Sequence, residues 1–460
     1  MMTEKKELEL YFHIPFCIRK CYYCDFLSAP GDDETKRQYM KALLAETAGS
    51  ASRYGEYRIT SMFIGGGTPS AVPTECMEEL LAAVGSHYHL AENAEITMEV
   101  NPGTVRPEEL LRLRKAGVNR LSIGLQSTHN EELAAIGRIH TWEQFEESFA
   151  AAREAGFDNI NVDLMSALPG QTLSRYTDSL WRVLSLNRPP EHISAYSLIV
   201  EEGTPFFEKY ESGELDIPDE DTDRLMYQET KDILAREGYR RYEISNYAKE
   251  GYECRHNCGY WKRKNYIGFG IGAASLLENV RFRNSSQLND YLKDPFGCRE
   301  EIQTLSMREQ MEEFFFLGLR MMEGIDCGEF EKLFGRRPEE VYGDVIRKNI
   351  RDGLLQYRGR AAQIVGRAPR ADIQAGQTVR RLCEDNMQRD DAGRAEGEIT
   401  DGGKDSGELM YADRSGSEEN GKAVRERNNS DRNVADSAVY LALTDKGLDV
   451  SNYVMAQFLA

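Results

Sequence analysis

The chain has 460 residues, 40 % of them hydrophobic and 29 % charged, enough for two or three domains at roughly 150 residues each. Its 57 basic against 77 acidic residues leave a net charge of −20, which argues against a polyanion binder, so nucleic acid is not an expected partner. No apolar run approaches the roughly 18 residues of a membrane span, and the start MMTEKKELEL has no apolar leader core. The expectation is therefore a cytoplasmic protein whose nine cysteines are reduced, with any clustered ones serving as metal or catalytic candidates.

In chain order, Leu8–Ile14 reads as a first strand. Tyr39, Met40, Leu43, Leu44 and Thr47 form a helical stripe, followed by a strand at Ile59–Ile64. Met77, Leu80, Leu81 and Val84 recur at i, i+3, i+4 and i+7, and His87 and His89 end that helix. A strand at Glu95–Val100 precedes a helix opened by Pro107 and closed by Gly117. Arg120–Leu125 is the next strand. Trp142, Phe145, Phe149 and Ala152 give a further helical stripe that stops at Gly156. Strands at Asn159–Met165 and His192–Leu198 complete six strand–helix units. Such alternation predicts an α/β fold, a parallel sheet with helices outside that curls into a full or partial barrel. Functional groups then belong at the C-terminal strand ends.

Residues 219–352 read as further helices and short strands, with the run Glu312–Arg320 a core helix. Arg358–Ala438 is rich in Arg, Asp, Glu, Gly, Ser and Asn, with Tyr411 its only aromatic. It is expected to be a disordered insertion. Val439–Thr444 then reads as a strand and Lys446–Leu459 as a helix. The expected organisation is a barrel core over 1–218, an α+β extension over 219–304 and a small C-terminal winged-helix-like domain over 305–460, interrupted at 358–438.

Directly after the first strand stand Cys17, Cys21 and Cys24, spaced CxxxCxxC. Three thiolates can hold three irons of a [4Fe–4S] cluster and leave the fourth open. Spacing alone leaves two other readings, a Cys₃His zinc site with His13 or three buried reduced cysteines. His13 itself reads best as a structural histidine. Glycines Gly65, Gly66 and Gly67, before Thr68-Pro69, follow the second strand and allow close backbone approach to a ligand. Glu99, Gln126 and Asp163 end the third, fourth and fifth strands, and Arg138 follows the fourth. Each alone reads as a solvated polar residue, but their shared location points them toward one mouth.

CxxxCxxC in this place resembles the radical S-adenosylmethionine (SAM) superfamily. The resemblance implies a partial (β/α)6 barrel and a [4Fe–4S] cluster on Cys17, Cys21 and Cys24. It implies that SAM chelates the open iron and is cleaved by an electron from the cluster to a 5′-deoxyadenosyl radical. It assigns SAM contacts to Tyr11, Gly66, Gly67, Thr68, Glu99, Gln126, Arg138 and Asp163.

The motifs YxHIPFC, GGGTPS, ExNPG, NRLSIGLQS, GRIH and DLMSALPG narrow the resemblance to the coproporphyrinogen III dehydrogenase group, over residues 7–357 and 439–460. The dehydrogenases carry a fourth cysteine two positions after the third, where this chain has Phe26, and a longer segment before the first strand. His256-Asn257-Cys258-Gly259-Tyr260-Trp261 is similar to the HNxxYW motif of HemW-type heme chaperones. That likeness implies heme as cargo, His256 as an axial ligand and Tyr260 and Trp261 against a porphyrin face. On local chemistry alone, His256 and Asn257 cap a turn and the aromatics fill core. Cys258 is a thiolate candidate that the likeness does not require; Cys76, Cys298, Cys327 and Cys383 show no ligand spacing. Lys262–Lys264 reads as a solvated basic loop.

The resemblance thus implies a heme chaperone that hands heme to respiratory or other heme-accepting membrane proteins, meets the membrane peripherally and forms a homodimer. The alternative is an oxygen-independent coproporphyrinogen III dehydrogenase.

Overall fold

The computed structural model describes residues 5–359 and 438–459. Its first six strands are β1 (Glu7–Ile14), β2 (Arg58–Gly66), β3 (His89–Val100), β4 (Arg120–Gln126), β5 (Ile160–Ser166) and β6 (His192–Ser197). They pair in parallel, each with its successor, as six strand–helix units demand. The chain then adds β7 (Arg240–Arg241), β8 (Asn246–Ala248), β9 (Tyr266–Phe269), β10 (Ala274–Leu277), β11 (Val280–Asn284) and β12 (Arg299–Thr304). These extend the same sheet at both ends, in the order β12-β11-β10-β9-β1-β2-β3-β4-β5-β6-β8-β7, an open, partial barrel. β9 joins β1 in parallel, and the other additions are antiparallel.

Period-two alternation splits each strand between two faces. Leu8, Leu10, Phe12 and Ile14, with Ile59, Met62 and Ile64, face the helical layer and join one continuous core. Leu121, Ile123, Val162 and Leu164 continue it. The helices over it start and stop where local chemistry says they should. Asp32 accepts the Thr35 amide at 2.8 Å, and Thr141 with Gln144 forms a capping box. Pro107 is the first helical residue of its helix and Gly117, at φ +119°, closes it.

Three local expectations change. His89 begins β3 instead of ending a helix, because the chain turns extended at Tyr88. The C-terminal helix is two, Asp445–Asp449 and Ser451–Ala456, since Val450 at φ −127°, ψ 35° leaves helical geometry. Arg358 belongs to β14 (Leu355–Arg358), where it pairs with Tyr440. Residues 360–437 of the expected insertion lie outside the described residues. A second, antiparallel sheet carries β13 (Ile325–Asp326), β15 (Tyr440–Leu443) and β14 in that order, against helices that include Met307–Gly318 and Pro338–Arg351. Phe315, Phe330, Leu441, Leu443 and Phe458 fill this winged-helix-like part. Among the described residues no helix is long and apolar enough to cross a membrane.

The inner face of the large sheet is polar, and its lower half is sealed by the helix Arg255–Trp261. Glu95 accepts the amides of Arg255 and His256 at 3.0 and 3.2 Å, capping the start of that helix. His256 is 1 % exposed; its Nδ1 meets Ser61 Oγ at 2.8 Å and its Nε2 meets Tyr260 Oη at 2.9 Å. Phe63 stacks on its ring at 5.3 Å. Burial lowers the imidazole pKa to about 3, so it stays neutral. A Cβ on Gly259 would fall on the Glu9 carboxyl, so any larger residue there forces that buried side chain to move. Gly259→Ala is therefore expected to destabilise the protein by about 1–3 kcal/mol, read as a fall in Tm. Adding Glu9→Ala should restore part of that loss; no recovery would show that the two residues do not meet.

Candidate functional site

At the C-terminal ends of the strands two loops meet. The first leaves β1 and carries the cysteines. Cys17 donates its amide to Ala29 O at 3.1 Å and Ala29 returns one to Pro15 O at 2.9 Å, closing the loop at its base. Tyr22 N–H donates to Ile136 O and Phe206 N–H to Tyr22 O, both at 3.1 Å, which docks its far side. The three thiols are half-buried and unpaired. The second loop leaves β2 and binds the first edge to edge: Gly67 N–H donates to Ile14 O at 2.8 Å and Thr68 N–H to Phe16 O at 2.7 Å. This approach needs the glycines. A Cβ on Gly67 would stand 2.8 Å from Phe16 O, and one on Gly66, at φ +112°, would meet the His13 ring.

Around these loops stand the polar residues of the strand ends. Glu99 accepts the Gly66 amide at 3.0 Å. Burial, with Asp163 adding repulsion, pushes its carboxyl up to about 7. Asp163 accepts Asn161 Nδ2 at 2.7 Å and is also raised, by burial first. Gln126 closes β4 at φ +73°, unusual for a residue with a side chain, and its Oε1 accepts Tyr196 Oη–H at 3.1 Å. Arg138 donates from Nη2 to Asn101 Oδ1 at 3.0 Å and to Gly124 O, while Nη1 lies 3.8 Å from Cys21 Sγ. Its Nε is buried without a partner.

Cys17, Cys21, Cys24, Gly66, Gly67, Thr68, Glu99, Gln126, Arg138 and Asp163 all line one cavity of about 360 Å³. Tyr11 does not. It lies deeper on β1, donates to His13 Nδ1 (3.0 Å), and lines a separate cavity of about 440 Å³ with Tyr260, Trp261, Tyr266 and Phe316. Asn101 and Tyr196, which carry no assigned role in the sequence, also line the mouth, together with Tyr23, whose place beside the cysteines suits an aromatic shield. Tyr196 could have been found from the alternation of β6, whose inner face also carries His192 and Ser194.

His13 cannot complete a zinc site here, since Tyr11 Oη takes its Nδ1 and Leu27 O its Nε2 at 2.8 Å. Three free thiols on one loop, opening into a cavity far wider than a single ion, suit a [4Fe–4S] cluster as donor set. His256 likewise has both ring nitrogens engaged, Nδ1 with Ser61 and Nε2 with Tyr260.

Comparison with known proteins agrees with this geometry. Residues 11–180 match the family model of the Radical SAM superfamily, and residues 305–364 that of the HemN C-terminal domain. The chain is 38 % identical over 352 residues to the heme chaperone HemW of Lactococcus lactis, covering 76 % of this chain and 91 % of that protein. It is 36 % identical to the HemW of Bacillus subtilis, covering 75 % and 92 %. The chain belongs to the HemW heme chaperone family. Among solved structures, the coproporphyrinogen III oxidase HemN of Escherichia coli, a radical SAM enzyme, superposes with a TM-score of 0.66 at 23 % identity, over 76 % of this chain and 85 % of that one. That likeness is one of fold. In this HemW-family chain the position two after Cys24 is Phe26, 59 % exposed beside the mouth.

Cys254 is fully buried with its thiol pKa raised by burial, whereas the three loop cysteines are only half-buried. In the metal-free protein under anaerobic conditions, a maleimide should label Cys17, Cys21 and Cys24 well before Cys254, read by peptide mass spectrometry. Equal rates in the folded protein would contradict the described burial.

Proposed function

We propose that this protein is a heme chaperone on a radical SAM scaffold. Cys17, Cys21 and Cys24 hold a [4Fe–4S] cluster, the mouth takes SAM, and the chain binds heme and delivers it to respiratory or other heme-accepting proteins. It works in the cytoplasm, meets the membrane peripherally and pairs with a second copy. The observation that carries the reading is the likeness to heme chaperones along nine-tenths of their length, combined with one cavity that gathers the thiols, the glycine loop and the carboxyls.

A bound cluster would supply one electron and an open iron for the methionine end of SAM. The chain's own residues supply the rest. Gly66 and Gly67 keep side chains away from that end. Ionised Glu99 and Asp163 suit a cationic ligand or ribose hydroxyls, and the unpartnered Arg138 Nε suits a carboxylate. For heme, the second cavity offers aromatic walls at Tyr260, Trp261, Tyr266 and Phe316. His256 supports Tyr260 from behind.

The test uses anaerobically reconstituted protein with SAM, a strong reductant and coproporphyrinogen III, with 5′-deoxyadenosine and porphyrins quantified together, and a parallel heme titration. Heme binding without decarboxylated porphyrin is expected. Repeated turnover to protoporphyrinogen would replace the chaperone with the dehydrogenase.

SAM affinity should also depend on pH. Below about 7 the Glu99 carboxyl is protonated and attracts a cation weakly; above it the carboxylate attracts it strongly. Affinity is expected to rise as pH passes upward through 7, and to flatten in Glu99→Gln, measured by calorimetric titration of the reconstituted protein.

A further inference from the structure

We propose that Asn101 is the positioning residue of the cluster site, its single amide aiming the two side-chain donors that, among the described residues, reach the sulfurs of the cysteine loop. The inference rests on the cluster-binding reading above. Thr68 Oγ lies 3.5 Å from Cys17 Sγ, and Arg138 Nη1 lies 3.8 Å from Cys21 Sγ. These donors come from different loops, one after β2 and one after β4, yet they share one partner. Asn101 Nδ2 donates to Thr68 Oγ at 2.7 Å, and Asn101 Oδ1 accepts from Arg138 Nη2 at 3.0 Å.

Direction matters on each arm. A hydroxyl has one proton. Because the Asn101 NH₂ group can only donate, it occupies a lone pair of Thr68 and leaves the Thr68 proton for the sulfur. On the other arm, Asn101 Oδ1 and Gly124 O take the Nη2 hydrogens, which fixes the guanidinium plane and turns Nη1 to Cys21. Gly124 has to be bare for this: a Cβ there would stand 2.6 Å from Arg138 Nη2 and 3.0 Å from Asn101 Oδ1.

The backbone that carries this side chain is also held still. Asn101 N–H donates to Ser70 Oγ at 3.3 Å, and Asn101 O accepts the Thr104 amide at 3.2 Å and its hydroxyl at 2.6 Å. Such preorganisation sets the donors before any cluster arrives. Hydrogen bonds to ligating sulfurs draw off negative charge, which favours the reduced cluster and raises its potential. Asn101 therefore tunes the potential of a cluster that it does not touch.

The experiment is a redox titration of the reconstituted full-length protein without SAM, followed by electron paramagnetic resonance, with iron and sulfide content and circular dichroism alongside. Asn101→Asp keeps the size but loses the donor, so the Thr68 proton turns to the new carboxylate and leaves Cys17. At a fixed applied potential its reduced-to-oxidised ratio is expected to fall at least tenfold, which is 59 mV for a one-electron couple. Thr68→Val, which removes one arm alone, should shift in the same direction. Asn101→Ala should shift the potential less in the Thr68→Val background than in the wild type, because they share that arm.

A merely structural Asn101 would lower iron content and leave unchanged the potential of whatever cluster remains; that result overturns the proposal. So does an unmoved potential in Asn101→Asp at full iron content, or strict additivity with Thr68→Val. If Asn101→Ala loads no cluster, Asn101→Asp and Thr68→Val decide. Failure of the wild type to assemble a cluster overturns the cluster reading itself, and the proposal with it.

Discussion

Two backbone hydrogen bonds, from Gly67 to Ile14 and from Thr68 to Phe16, join the exit of β2 to the exit of β1. The mouth depends on that joint. It carries the parallel pairing of the first two strands past their ends and into the cysteine loop, so the thiols are placed by the sheet and not by a free loop. It also explains why three consecutive residues lack side chains. Gly65 makes room for Glu99, Gly66 for His13, and Gly67 for the neighbouring backbone itself. A Cβ on Gly67 would press on the backbone of the cysteine loop, whereas one on Gly65 or Gly66 would displace the Glu99 or His13 side chain.

Below the mouth the same sheet faces a different problem. Its inner face carries charged and polar groups that water does not reach, and buried polar groups need partners. The helix Arg255–Trp261 supplies many of them. Glu95 caps its first turn, Ser61 meets His256, and Gly259 lets it lie against Glu9. On the far side His192 bridges Asn161 Oδ1 at 2.6 Å and Tyr242 Oη at 2.8 Å. Not every group is satisfied: two nitrogens of Arg120 and one oxygen of Glu9 remain without partners. Burial leaves His192 and His256 neutral and raises Glu9 to about 8. Much of the interior is therefore uncharged hydrogen-bonding surface at neutral pH.

The strands and their order were legible because alternation and turn residues are local. Leu8, Leu10 and Phe12 announce an outward face, and Gly117 and Gly156 announce helix ends, within a few residues of themselves. Ten of the eleven residues assigned to the cluster and SAM were legible as one group for the same reason, since strand ends in a parallel sheet converge. What the sequence leaves unread has another character. Tyr11 shares the inner face of β1, but how deep it lies follows from the length of the strand beyond it. The role of His256 depends on Ser61, nearly two hundred residues away in sequence. No local pattern tells whether an imidazole will be satisfied by such a partner or left free. Asn101 sits in plain view in its ExNPG motif, but its work is a relation between Thr68 and Arg138 that only the fold brings together.

The pairing of Arg358 with Tyr440 has a consequence for how the small sheet assembles. By geometry β14 and β15 are neighbouring antiparallel strands, the kind of pair that a tight turn usually closes within microseconds. By chain distance they are remote, so closing them takes a diffusive search. Loop closure grows only as the logarithm of loop length, so the pair tolerates that distance at equilibrium far better than it does in time. The core of Phe315, Leu441 and Phe458 is thus built from contacts between segments remote in sequence. Sequence change between those two strands would register first in the rate at which this part folds, and much less in its final stability.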